Sequence, residues 1–131
     1  MKTPHILLLA LASSMAGCAT LDERGALELT WQSLHAIDTA QTIHIARAPS
    51  CFYEKNWLTS TIVGRHPDEA DVAAVMLGYS MLHYFISQKL GELEDPRPLR
   101  VFQAVTLLQS GYNVVHNHSI GLRPFGSGGC R

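Results

Sequence analysis

What this chain lacks is charge. Only 16% of its 131 residues are Asp, Glu, Lys or Arg, against 47% apolar residues, and the ten basic and eleven acidic side chains nearly cancel. Soluble domains usually carry about 25% charged residues. No cluster of Lys or Arg is present, which argues against nucleic acid as a partner, because neutralising phosphates needs a basic surplus. Apolar runs of bilayer length are also missing: the longest, Ile6 to Ala12, is far short of the roughly 20 residues a spanning helix needs. Cysteine is scarce, at three residues, and none of the spacings typical of zinc sites occurs. A phosphate-binding glycine loop and a nucleophile elbow are absent too, so nothing in the sequence indicates an enzyme. The length allows one domain.

What is present begins at the N-terminus. Lys2, a short apolar stretch and the small residues Ser13-Ser14 form the pattern of a secretory signal that is cleaved. The residues Met15-Ala16-Gly17-Cys18 resemble the lipobox of bacterial lipoproteins, with Met15 where that family most often has Leu. The resemblance covers the first 18 residues and implies a signal peptide over 1–17 and acylation of Cys18, which becomes the new N-terminus. Two or more acyl chains anchor stably, at roughly 0.8 kcal/mol per buried CH₂, whereas one holds marginally. Ala19 follows the cysteine in place of the Asp that marks inner-membrane retention. The resemblance therefore implies the bacterial cell envelope, at the outer membrane facing the periplasm. No cofactor is expected beyond the covalent lipid on Cys18.

In such a compartment Cys51 and Cys130 are candidates for a disulfide. On the chain-entropy view, closing a loop of about 80 residues stabilises by roughly 4 to 5 kcal/mol. Cys130 lies in the glycine-rich tail 123–131, so two unpaired thiols, or a bridge to another chain, are the alternatives.

After a lipid-attached tether over 18–25, residues 26–122 read as an all-α domain, a small antiparallel bundle of three long helices. The first runs from about Ala26 to Ala48, ahead of Pro49. The second starts after His66-Pro67-Asp68-Glu69, residues suited to a helix N-terminus, and reaches about Leu90. The third opens near Pro98 and ends near His116. Between the first two lies a polar, aromatic linker over 49–66, too long for a simple turn and of a kind that is often functional. The acidic connection 91–97 is short and favours antiparallel neighbours.

Residues 29–46, 72–88 and 101–122 hold a single Asp, Glu, Lys or Arg, namely Asp38. At 100° per residue, Val101, Ala104, Val105, Leu108, Tyr112 and Val115 share one side of the third helix, and Gln103, Thr106, Ser110, Asn113 and Asn117 line the other. Ala73, Met76, Ser80, His83 and Ser87 form a similar small-and-polar line, and Asp38, Gln41 and Thr42 share a sector with Leu27, Trp31, Leu34 and Ile45. A small soluble bundle normally covers its outer faces with Lys and Glu. These helices must be shielded by a protein partner or by lipid.

Two functional readings follow from that shielding: a lipid-anchored structural or binding protein, a subunit of a larger envelope assembly, or a membrane-embedded helical protein handling a small ligand or ion through Asp38 and the polar stripes. A third is a metal-dependent activity in which His35 and Asp38, spaced i, i+3, join His83, His116 and His118. Against it stands a structural role for Asp38, hydrogen-bonded to a His or Ser of a neighbouring helix. The stretches His35–Thr42, Glu54-Lys55-Asn56 and Asn117–Leu122 resemble landmarks of short membrane-associated bacterial proteins with an Asp-x-x-x-Thr helix and a Glu-x-Asn-Pro turn, Trp57 standing here in place of the Pro. The candidate polar or ligand site is accordingly His35, Asp38, Glu54, Asn56, His83, His116 and Asn117.

Overall fold

A computed structural model of the chain describes residues 22–55, 57–124 and 126. Among the described residues the regular structure is all helical: α1 (Glu23–Arg47), α2 (Trp57–Val63), α3 (Glu69–Gly91) and α4 (Arg97–Ser119). The three long helices fall where the sequence places them. The fourth, short α2 sits in the stretch read as a linker, and the β-branched Thr61-Ile62-Val63 form its last turn. The signal segment, Cys18, Asn56 and Cys130 lie outside the described residues. Cys51, in the turn after α1, is disulfide-bonded.

Local chemistry sets the helix ends. Asp22 accepts a hydrogen bond from the Gly25 amide at 2.7 Å, and Asp68 accepts one from the Asp71 amide at 2.8 Å, each satisfying an amide with no partner inside the helix. Helix α1 therefore starts three residues before Ala26. Pro98 occupies the first turn of α4, where its missing N–H costs nothing. At the other end of α4, Gly121 adopts φ of 93°, which glycine tolerates, and the Leu122 amide donates back to the Asn117 carbonyl at 2.9 Å. That turn drives Leu122 into the bundle, where it is buried.

The polar pairings fix the topology. Gln32 meets Ser80, His35 meets Met76 and Glu28 meets Ser87, so α1 and α3 run antiparallel. Arg24 pairs with Gln103 and Asp38 with Asn117, both 79 positions apart, so α1 and α4 run parallel. Helix α1 is the centre of the molecule, packed on both α4 and α3, which touch each other less, while α2 rests on α3.

The bundle is inverted relative to a soluble one. Gln41 and Ser87 are 1% exposed and Gln103 2%, whereas Leu108 is 75%, Val115 69% and Met81 65% exposed. The polar stripe of α4 faces inward, and Val101, Ala104, Val105, Leu108, Tyr112 and Val115 all face out. On α3, Leu77, Met81, Leu82, Tyr84 and Phe85 are exposed, opposite the buried Met76, His83 and Ser87. A buried polar atom needs a partner, and helices set to exchange side-chain hydrogen bonds must turn their polar stripes toward one another. Because inward positions are polar, no helix among the described residues is long and apolar enough to cross a membrane.

Candidate functional site

Two polar assemblies occupy the interior. The first is a layer in the half of the bundle that holds the N-terminus of α1, centred on Glu28. Its carboxylate accepts hydrogen bonds from Ser87 Oγ at 2.7 Å, Gln32 Nε2 at 2.8 Å and His83 Nδ1 at 3.1 Å. Ser80 Oγ closes the circuit by donating to Gln32 Oε1 at 2.6 Å. On its far side the His83 ring meets Thr106 Oγ1 at 2.9 Å, which binds α4 into the layer. Burial pushes the Glu28 carboxyl up, but the bonds from His83, Ser87 and Gln32 outweigh it and hold the group below the usual carboxylate range.

Rings stack around this layer. Trp31 lies over His83 with centroids 3.5 Å apart and planes 3° from parallel, and over His35 at 4.7 Å. Phe102 covers His83 at 4.7 Å. His35 Nε2 donates to the Met76 carbonyl at 2.8 Å, and burial, with His83 nearby, holds its proton affinity below the ordinary value despite that bond. Glu28 and His83 line neither of the two cavities described below. The layer is a polar clasp among α1, α3 and α4.

The second assembly lies toward the C-terminal ends of α1 and α4, beneath Tyr53, Glu54, Lys55 and Trp57. Here Asp38, Thr42, Tyr53, Glu54, Trp57, Tyr112, Asn113, His116 and Asn117 line a cavity of about 290 Å³. Asn117 Nδ2 donates to Asp38 Oδ1 at 2.8 Å, and the Thr42 hydroxyl donates to the Asp38 carbonyl at 3.0 Å. Glu54 is buried, and its amide donates to the Arg65 carbonyl at 2.9 Å, pinning the segment against the residues after α2. Burial first, then the neighbouring Glu54 charge, pushes the Asp38 carboxyl up to about 7, against the opposing bond from Asn117. A larger cavity of about 410 Å³ at the other end of the bundle, lined by Asp22, Glu23, Arg24, Leu99 and Arg100, has no comparable buried acid.

The structure thus divides the sequence-derived site. Asp38, Glu54, His116 and Asn117 share one cavity, while His35 and His83 belong to the clasp. His35 turns away from Asp38 to the Met76 carbonyl, although the two are one turn apart. Asp38 does meet a neighbouring helix, through an amide and not a His or Ser. Among the described residues no group of three or more His, Cys, Asp or Glu is placed to hold a metal ion.

Sequence reasoning missed Glu28, which lies just outside the charge-free stretch yet starts the ladder Glu28, Gln32, His35 on the inner face of α1. It also missed the aromatic walls Tyr53, Trp57 and Tyr112. The signal for those was the aromatic content of the connection, together with Tyr112 standing one turn before His116. No protein-family model, curated protein or solved structure matches the chain.

Proposed function

We propose that the chain is a lipid-anchored protein of the bacterial cell envelope, tethered through acyl chains on Cys18, that acts by binding and not by catalysis. The outer faces of α3 and α4 are its docking surface, and a protein partner in the envelope covers them, making the chain a subunit of a larger assembly. The observation that carries this reading is the inversion: large apolar side chains stand outside while amides, hydroxyls and carboxylates are buried. Contiguous exposed apolar surface on a folded protein marks a contact site. The lipobox supplies the anchor, and a tether of about five residues from Cys18 to α1 reaches at most about 18 Å, which keeps the bundle at the membrane surface.

The test joins labelling with extraction. Radioactive palmitate is expected on the wild-type chain and not on Cys18→Ala. Carbonate treatment of membranes is expected to release Cys18→Ala, and a photo-crosslinker at position 108 is expected to capture a discrete envelope protein. Unlabelled wild-type chain removes the anchor from the proposal. Retention of Cys18→Ala after carbonate, with crosslinks to lipid alone, replaces the protein partner with the bilayer.

A further inference from the structure

The cavity beneath Tyr53, Glu54, Lys55 and Trp57 is assigned to no ligand by the docking reading and borders that surface at Tyr112. We propose that it binds a small organic ammonium, whose charged nitrogen sits between Asp38 and Glu54 and whose carbon skeleton lies against Tyr53, Trp57 and Tyr112. The inference rests on the combination of groups around one space. The buried Glu54 and the half-buried Asp38 share a cavity of about 290 Å³ with three aromatic rings. Carboxylates supply the counter-charge and acceptors for N–H groups, and ring faces attract cations within about 6 Å. The same pairing already operates at the mouth, where the exposed Lys55 holds its Nζ 5.5 Å from the Tyr53 centroid.

Size argues against a bare inorganic cation. The volume equals roughly ten waters at about 30 Å³ each, and the described residues offer no three-ligand metal cluster. An anion is disfavoured by Asp38 and Glu54, opposed within the lining only by Lys55 and His116. The ammonium group has two possible sources, a free amine or the ethanolamine headgroup of a bilayer lipid, and both present the same chemistry to the cavity.

Binding is coupled to one proton. An ammonium favours the ionised form of Asp38, so the site releases the Asp38 proton as it fills. The charged and titratable groups around Asp38 are Glu54, Lys55 and Tyr53 from the connecting segment and His116 and Tyr112 from α4; α2 contributes only Trp57 and Thr59. With Asp38 titrating at about 7, affinity rises about tenfold between pH 6 and pH 8.

The experiment uses the full chain in detergent, titrated calorimetrically with ethanolamine chloride and choline chloride against matched sodium chloride. A second arm uses vesicles of phosphatidylethanolamine against vesicles of phosphatidylglycerol. Saturable binding of either amine, about tenfold tighter at pH 8 than at pH 6, is the expected result, and Asp38→Asn is expected to lose at least tenfold in affinity and all of the pH dependence. A response confined to phosphatidylethanolamine vesicles identifies the headgroup as the source. If Asp38→Asn does not fold, Trp57→Ala, at a rim position 75% exposed, must weaken binding several-fold. No response from folded wild-type protein in either arm overturns the proposal, as does equal binding by folded Asp38→Asn.

Discussion

The half-buried Asp38 and the buried Glu28 are carboxyl groups on one helix with opposite electrostatic fates, and the difference lies in their partners. Glu28 receives bonds from Ser87, Gln32 and His83, enough to hold its charge. Asp38 receives one from the Asn117 side chain and faces the Glu54 charge. Two pH dependences of opposite sign follow. Asp38 has a folded-state value of about 7 against an unfolded value near 3.8, so the native state holds the extra proton between them. Its contribution is fully present below pH 3.8 and is lost as pH rises through 7, after which it is constant. Asp38→Asn removes this loss, so the variant should gain on wild type between pH 4 and pH 7, by roughly 1 to 4 kcal/mol in denaturant unfolding in detergent. Glu28 contributes stability above its unfolded value of 4.5 and loses it as pH falls through its depressed folded value. Ser87→Ala, which strips one donor from the buried Glu28 carboxylate, should cost about 1.5 to 3 kcal/mol at neutral pH in the same measurement.

At the scale of elements, the helices and their faces were legible in the sequence, while the direction of those faces and the short helix were not. Charge-free stretches, capping residues and prolines mark α1, α3 and α4 from local chemistry alone. Asp68 shows how far that goes: its side chain carries the first turn of α3, and Asp68→Ala should lower stability by about 1 kcal/mol, read from the thermal midpoint. Periodicity also separates Leu108 from Gln103 on opposite sides of α4. Which side faces inward depends on what the other helices offer, and only the meeting of three polar stripes settles it. The cavity was half visible for the same reason. Asp38, Glu54 and Asn117 carry obvious chemistry, but their convergence depends on the parallel register of α1 and α4, set by packing at both ends of the helices. Helix α2 was hidden because its seven residues, Trp57–Val63, are largely β-branched or aromatic, types whose helical propensity is modest. Contact with α3 overrides that preference.

For the whole molecule, the inversion separates the forces that hold the chain together from those that give it a neighbour. Polar side chains join a small apolar core of Trp31, Ile45, Val72, Met76, Leu99 and Leu122 in fastening the three long helices, and most of the large apolar side chains of α3 and α4 are left facing outward. Substitutions on the two sides should therefore fail differently. Leu108 is 75% exposed and neither bonds nor stacks with the rest of the bundle, so Leu108→Lys should leave far-UV circular dichroism and the unfolding midpoint within about 0.5 kcal/mol of wild type. The added charge would face whatever covers α4, and a buried unpaired charge is costly enough to break such a contact. The expected outcome is loss of the position-108 environment's partner, seen as failure to co-purify, with the monomer intact. Gln103→Lys makes the opposite test on the same helix. Gln103 is 2% exposed and donates to the Arg24 carbonyl at 3.2 Å, so a lysine there gives up a buried bond and brings its charge beside Arg24 and Arg100 in the larger cavity. It should destabilise by about 1 to 3 kcal/mol and deplete the folded chain itself. If Leu108→Lys unfolded the protein while Gln103→Lys left it unchanged, the orientation of α4 would be reversed, and the docking surface on α4 would have to be sought on its amide side.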